Sequence, residues 1–513
     1  MKNCINEGCA VIAKFVNELK IKDFEFVWKP FRLLLCAYIL ALYPLFRANY
    51  YYMDDLGRAV YGYRGWENFS RWLSNFLAKF IHVGGVITDI SPIPQVIALA
   101  LMALAGAFLV HLFNTKKEKS WVWATLVTLP MGLSPYFMQC FSFKYDAPYM
   151  ALSVLASIVP FLYLNHSSIV FITISFVGIL VMCCTYQAAS GIYVILALYL
   201  IFHKWNEGAD FKESIKKIIL SAITYLAGMI FYKLFLVAEV NAYVTTGVGN
   251  SSVFVNFVKN ATRYLKFLIS DSANVWIYLV VAIAVLYVIN MVVVSKQNKF
   301  VTLLLAIVLL PTSLVLSYGA YLVLEKTIFD ARAMLGSGVL VAIVAVSSTY
   351  ALKKNLFSPI LGIGLSWCLL VYSASFGNAL AAQHEYDMVR INLVLQDLNK
   401  IPVTKDSQRL QFEGSIGHCP IVKLMSKRYP VIKRIVHPLL ANSKSCWNEI
   451  YMFDYINLPK YVRHDESKFE YKIIHKPAKY NPIDIRKLKF KTIANTRYHT
   501  IKSDGKNVLV QLR

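Results

Sequence analysis

The sequence predicts a polytopic α-helical membrane protein, with about eleven transmembrane helices and a C-terminal α+β domain outside the membrane. Three observations carry this prediction. First, hydrophobic residues make up 57% of the 513, and the mean hydropathy is +0.50. Soluble domains run at about 45–50% apolar. Second, the excess is clustered. Residues 97–113, 147–163, 168–184, 190–202, 275–294, 300–316, 334–347 and 357–376 are nearly free of charge. A helix needs about 20 mostly apolar residues to cross a hydrocarbon core of roughly 30 Å. Third, the basic residues recur at alternate connections, as the positive-inside rule requires.

Taken in order, the spans fall near 33–48, 97–114, 121–139, 147–164, 168–185, 187–203, 218–237, 273–294, 300–318, 333–350 and 356–376. The pair 168–185 and 187–203 is separated by almost nothing. The basic groups are Lys2 to Arg32 at the start, then Lys116, Lys117 and Lys119, then Lys204, Lys212, Lys216 and Lys217, then Lys296 and Lys299, then Lys353 and Lys354. Placing them in the cytoplasm puts the N-terminal segment 1–32 inside and, with an odd number of spans, the C-terminus outside. Residues 10–16 are apolar but too short for a cleavable signal peptide. Residues 5–16 read equally as a short surface helix or as a polar start.

The domain expected over 381–513 holds 24 Lys plus Arg against 12 Asp plus Glu, half of the chain's net charge of +24. It alternates β-like stretches, 468–474 and 507–512, with turn residues. Its basic surface suits anionic lipid headgroups or anionic glycans, not nucleic acid. Of the nine cysteines, most sit in or near apolar spans, where they act as small hydrophobes. Cys419 and Cys446 alone fall in the exported domain, so a disulfide between them is expected. The sequence has no CxxC pair and no HExxH, which argues against a catalytic metal, and no P-loop or dinucleotide-type glycine motif. No cofactor is expected.

The external loops carry the chemistry. The first, 49–96, opens with three tyrosines and then Asp54, Asp55, Gly57 and Arg58. Paired carboxylates at a membrane surface repel, so that one pKa rises while the partner stays ionised, which suits a general base acting on a sugar hydroxyl. Arg58 lies one helical turn beyond Asp54 and could orient it or hold a phosphate. A solvated acidic turn capping a helix is the alternative. Residues 66–80 place Trp66, Phe69, Trp72, Leu73, Phe76, Leu77 and Phe80 at helical spacing, with Arg71, Asn75 and Lys79 opposite. That is an interfacial helix able to shape the approach of a lipid substrate, or an ordinary amphipathic helix packed on other loops. Lys144, Tyr145 and Asp146 stand in the second external loop. Glu325, Lys326, Asp330 and Arg332 precede the tenth span. Ionisable groups near membrane depth are functional candidates. Arg332 is suited to bidentate phosphate contact, or equally to snorkelling. Tyr186 and Gln187 are weaker candidates for sugar contact.

The run Pro44 to Arg58 with Asp54-Asp55, then Gly65-Trp66, then Asp89-Ile-Ser-Pro92, resembles the Gtr family of serotype-converting O-antigen glucosyltransferases. The resemblance is strongest over 40–100 and continues in topology to about 380. It implies a GT-C type membrane fold over 33–380, with an active site on the external face of the bacterial inner membrane. It implies an undecaprenyl phosphate–glucose donor, flipped across the membrane by a partner protein after a partner synthase makes it. The acceptor would be a sugar of the lipopolysaccharide O-antigen, attacked with inversion. On this resemblance Asp54 or Asp55 is the base. The residues themselves point to Arg332, with Arg58 or Lys144, for the departing donor phosphate, and to Asp146, Tyr186, Gln187 and Glu325 for substrate contact. The competing readings are a flippase for lipid-linked sugars, disfavoured by the lack of internal repeats, and an O-antigen polymerase.

Overall fold

The computed structural model describes residues 25–114, 121–237, 252–272, 274–351, 357–401, 408–441, 461–462, 489–505 and 507–513. Their helices are α1 (Glu25–Ala48), α2 (Asp55–Tyr61), α3 (Trp72–Ile81), α4 (Ile93–Phe113), α5 (Trp121–Leu126), α6 (Pro130–Leu133), α7 (Pro135–Ser142), α8 (Ala147–Ile158), α9 (Ser168–Thr185), α10 (Ser190–Asn206), α11 (Phe211–Phe235), α12 (Val253–Asp271), α13 (Asn274–Val294), α14 (Lys299–Leu316), α15 (Leu335–Ala351), α16 (Phe357–Leu398), α17 (Pro420–Arg428) and α18 (Ile432–Ile435). Among the described residues, nine helical stretches are long and apolar enough to cross a membrane.

The expected spans 121–139 and 147–164 are the two that fall short of that length. Proline is the reason. Pro130 and Pro135 lack the N–H that a continuing helix needs, so the first span becomes the three pieces α5, α6 and α7. Ser134 caps the last of them, accepting from the Phe137 N–H. In the second, α8 passes into a 3₁₀ turn, Val159–Tyr163, around Pro160. Elsewhere the ends are set by ordinary caps: Ser167 on α9, Asp210 on α11, Ser252 on α12 and Asn298 on α14 each accept from a first-turn N–H.

Burial sorts the helices. The stretch Ala331–Ala351 is enclosed along nearly its whole length, whereas Phe211–Phe235, Val275–Val294 and Lys299–Leu316 turn most of theirs outward. The outward side chains are apolar, such as Ile219, Ile223, Leu226 and Ile230, as lipid contact requires. Close backbone approach holds the bundle. A Cβ on Gly377 of α16 would lie 2.5 Å from the Leu45 nitrogen of α1, and one on Gly336 would lie 2.2 Å from the Ser317 oxygen. Buried polar side chains add interhelical bonds: Asn290 Nδ2 donates to Ser348 Oγ and Ser358 Oγ, both at 2.8 Å.

The two ends of the bundle differ. At one, Lys204 Nζ and Lys217 Nζ both donate to Asn165 Oδ1, at 2.6 and 3.3 Å, and the Lys296 N–H donates to the Asn206 carbonyl. Among the described residues, this end holds the basic connections 204–217 and 296–299. At the other, the chain after α1 meets residues 144–146, 186–187, 318–332 and part of the C-terminal region.

Helix α16 runs unbroken to Leu398, so the domain boundary drawn at 380/381 falls inside it. A five-stranded mixed sheet stands on its last turns. The strands are β1 (Gln408–Glu413), β2 (Tyr461–Val462), β3 (Lys491–Asn495), β4 (His499–Ser503) and β5 (Asn507–Leu512), in the order β2-β1-β5-β4-β3. β1 is parallel to β2 and β5, and the other pairs are antiparallel. Arg390 Nη2 donates to the Tyr498 and Arg513 carbonyls, at 2.9 and 2.7 Å, and His499 Nε2 meets Asp397 Oδ2 at 2.8 Å. The expected strand at 507–512 is β5; the one at 468–474 lies outside the described residues, as does Cys446. Cys419 is a buried thiol whose Sγ caps α17.

Candidate active site

The loop after α1 is built on two residues in the left-handed backbone region, Asn49 (φ 45°) and Met53 (φ 49°). Non-glycine residues hold that conformation only when their surroundings over-determine it. The turn gives the two neighbouring carboxylates opposite environments. Asp54 is exposed at the N-cap of α2, and its side chain makes no cap hydrogen bond. Asp55 is fully buried, and its Oδ2 accepts from the Tyr52 N–H at 3.1 Å and the Lys144 N–H at 2.9 Å. Burial pushes the Asp55 carboxyl well above the usual range; the Lys144 N–H lowers it and nearby Asp146 raises it further.

Arg58 points beneath the loop. Its guanidinium lies 4.0 Å from the centre of the Trp66 ring and its Nε is 3.5 Å from Asp146 Oδ2, while Trp66 Nε1 donates to Asp146 Oδ1. All three side chains are buried. Lys144 Nζ is likewise enclosed, donating to Asn49 Oδ1 at 2.6 Å and Asp89 Oδ2 at 2.9 Å over the face of Tyr51. Half-burial would raise Asp89, but Lys144 and the Ser91 N–H outweigh it and leave the carboxyl below its usual range. Thus Arg58, Lys144 and Asp146 brace the loop from within.

Arg332 stands differently. Its backbone N–H donates to Gln139 Oε1, and its carbonyl accepts from Tyr186 Oη at 3.4 Å. Its Nε is 3.3 Å from Asp330 Oδ2, and the guanidinium lies over Phe143. Among the described residues nothing bonds its two Nη groups. The charge of Asp54 is felt at both Arg58 and Arg332, but the ion pair of Arg332 is with Asp330.

A second guanidinium joins it. Residues 66–80 do not form one helix. A 3₁₀ turn, Trp66–Phe69, ends at Ser70 (φ 58°), and α3 starts only at Trp72. That break turns Arg71 inward. Its Nε donates to Gln187 Oε1 at 3.2 Å, and its guanidinium lies 4.6 Å over the Tyr186 ring. Gln187 in turn donates to the Phe69 carbonyl and to Tyr232 Oη, at 3.0 and 2.8 Å. Beyond Arg71, Phe76, Phe80, Val83 and Val86 are exposed, at 54, 66, 91 and 68%. A surface that apolar next to paired cations fits the boundary between headgroups and acyl chains. Glu325 is half-exposed on the 319–332 segment, which Asn260 Nδ2 anchors through the carbonyls of Tyr321, Leu322 and Leu324.

Asp330, named from the sequence, is the ion-pair partner of Arg332, and the sequence analysis missed three contributors: Arg71, Gln139 and the C-terminal segment 432–439. Tyr52 Oη donates to the Ile435 carbonyl at 2.6 Å and accepts from Gln139 Nε2 at 2.9 Å. Gln139 and Tyr52 thereby tie α7, the first loop and the Arg332 turn together. Only Arg71 carried a signal, a cation at the edge of an amphipathic pattern. Among the described residues no group of three or more His, Cys, Asp or Glu side chains could hold a metal ion.

Known proteins resemble the chain over most of its length. A protein of Salmonella phage P22, described as an uncharacterized 55.3 kDa protein in the gtrB 5′ region, is 25% identical over 438 residues, covering 81% of this chain and 87% of its own length. No solved structure matches the chain. The family described as glucosyl transferase GtrII matches residues 43–343, from the end of α1 into α15 and across Asp54, Arg71, Gln187 and Arg332. The chain therefore belongs to the glucosyl transferase GtrII family, and the polytopic helical bundle is the framework of a glycosyltransferase.

Proposed function

We propose that the protein moves glucose from undecaprenyl phosphate–glucose to a sugar of the lipopolysaccharide O-antigen, inverting the anomeric centre, on the periplasmic face of the bacterial inner membrane. The observation that supports this is an exposed carboxylate, Asp54, within electrostatic reach of Arg332, whose Nη groups are unengaged among the described residues, on the side of the bundle that carries the apolar helix α3. The polyprenyl chain lies along Phe76 and Phe80. Arg332 and Arg71 neutralise the phosphate, as guanidinium groups do in bidentate contact. Asp54 takes the proton of the acceptor hydroxyl while its oxygen attacks the anomeric carbon. The bond from that carbon to the phosphate oxygen breaks, and the leaving phosphate keeps the electron pair. Cations preorganised at the departing oxygens stabilise that charge as it develops. Asp55 holds the 52–55 turn and the Lys144 segment, so the base role falls to Asp54. A flippase and a donor synthase supply the lipid-linked glucose.

Glucose transfer from labelled undecaprenyl phosphate–glucose tests this, with membranes matched for protein abundance. Asp54→Asn keeps the shape and removes the basic oxygen. It is expected to lose about 10²–10⁴-fold in turnover, the contribution of one positioned base. Turnover near wild type would move the base elsewhere, with Asp330 the next carboxylate beside Arg332.

A further inference from the structure

A cavity of about 310 Å³ opens where the start of α1, the end of α4, the turn after α8 and the end of α10 meet. Phe26, Leu112 and Phe161 form its apolar wall, and His111, Asn165 and Lys204 its polar one. Helix α10 sets it far from the transfer site. Its 17 residues begin just beyond Gln187 and rise about 25 Å to Asn206. Phe26 and its neighbour Trp28 are exposed, at 39 and 46%, and aromatic side chains at the end of a span mark the level of lipid headgroups.

Two cations converge on one neutral atom there. Lys204 Nζ and Lys217 Nζ both donate to Asn165 Oδ1, so the two ammonium groups stand within about 6 Å of each other. Lys217 has a carboxylate partner, Glu213 Oε1 at 2.8 Å. Lys204 has none among the described residues, and no carboxylate lines the cavity. Like charges held this close repel, and an anion between them replaces repulsion with attraction. Snorkelling accounts for a lone lysine at a helix end. It accounts neither for a second ammonium group on the same amide nor for the cavity beside the pair.

We propose that this cavity binds the headgroup of an anionic glycerophospholipid, phosphatidylglycerol, in the leaflet opposite the transfer site. Its phosphate oxygens accept from Lys204 and Lys217, and an acyl chain lies against Phe26 and Leu112. Basic pockets between transmembrane helices take such headgroups. The wall discriminates among phosphates. Phosphatidylethanolamine carries an ammonium group of its own, which would meet two more and find no carboxylate on the lining. A free phosphate ion would gain nothing from the apolar side. The inference is independent of the glucosyl-transfer reading.

The test uses the purified full-length protein in a neutral detergent. Native mass spectrometry titrates phosphatidylglycerol and phosphatidylethanolamine, with inorganic phosphate added as a competitor. The wild type is expected to hold one saturable phosphatidylglycerol, at least tenfold tighter than phosphatidylethanolamine and not displaced by phosphate at equal concentration. Lys204→Gln should weaken binding about tenfold, as loss of a charge-assisted hydrogen bond does. Lys204→Arg should keep most of it, and Lys217→Gln should weaken it by a smaller factor. Lys296→Gln, which removes a cation at the same end but outside the cavity, should leave it unchanged. Equal losses in Lys204→Gln and Lys296→Gln would show diffuse attraction and overturn the site. So would phosphatidylethanolamine binding as tightly, or the absence of saturation. Displacement by inorganic phosphate would assign the cavity to the free ion and overturn the lipid. Should Lys204→Gln fail to fold, Lys217→Gln decides, and undiminished binding there would overturn the proposal.

Discussion

Asp54 and Asp55 have the same chemistry and adjacent places in the chain, and composition alone could not separate them. The backbone separates them. The left-handed turn at Met53 sends one carboxylate to the surface, and the other accepts two backbone N–H groups that would otherwise be buried and unpaired. This difference makes a prediction about Asp55 that a catalytic role would not. Its carboxyl is raised by burial, and Asn matches the protonated acid in shape while keeping an oxygen for both N–H donors. Asp55→Asn should therefore change the thermal midpoint little and leave most of the activity. Asp55→Ala strands both donors, at about 1–3 kcal/mol each, and should lower the midpoint sharply. The sequence also could not tell which cations are used up inside the fold. Arg58, Lys144 and Arg332 look alike in a string of residues, but the partners that occupy the first two, Asp146 with Trp66 and Asp89 with Asn49, come from across the fold.

At the scale of elements, the long uncharged runs were legible because a hydrocarbon solvent leaves a helix no other way to satisfy its backbone. What broke the pattern was local. Prolines divided 121–142, and the Ser70 turn divided 66–80. Helix α12 escaped notice because Lys259, Arg263 and Lys266 interrupt its apolar residues, which recur on one face only. The strap at 432–439 was illegible because carbonyl and N–H groups hold it, and these carry no sequence signature. Two elements can be tested for stability. At the α1–α16 crossing, Gly377→Ala puts a methyl group against the Leu45 backbone and should cost about 1–3 kcal/mol, read as a lower midpoint in detergent. At the end of α12, burial pushes Asp271 from 3.8 up to about 7, even though Arg434 pulls it down. The native state therefore binds a proton that the unfolded chain releases above about pH 4. Stability linked to this group is full below that pH and falls as pH rises towards 7. Asp271→Asn should flatten the midpoint between pH 4 and 7; an unchanged slope would mean that Asp271 is not the group responsible.

For the molecule as a whole, the consequential feature is that its two ends carry different residues. One gathers Lys204, Lys217 and Lys296 around Asn165 and Asn206. The other brings the first loop, the 144–146 and 330–332 turns and the C-terminal strap onto one site. On the proposed reading, a nucleotide sugar would be met at the first end and a lipid-carried sugar at the second. Sided vesicles measure the difference directly. Purified protein is reconstituted, and its orientation is read by protease access to a tag after Arg513. Undecaprenyl phosphate–glucose and acceptor are then supplied to one face only, without a flippase. Transfer is expected when both substrates are on the face that bears the tag, with Asp54→Asn inactive there. Transfer only when they are supplied to the face of the basic loops would contradict a site built from Asp54 and Arg332.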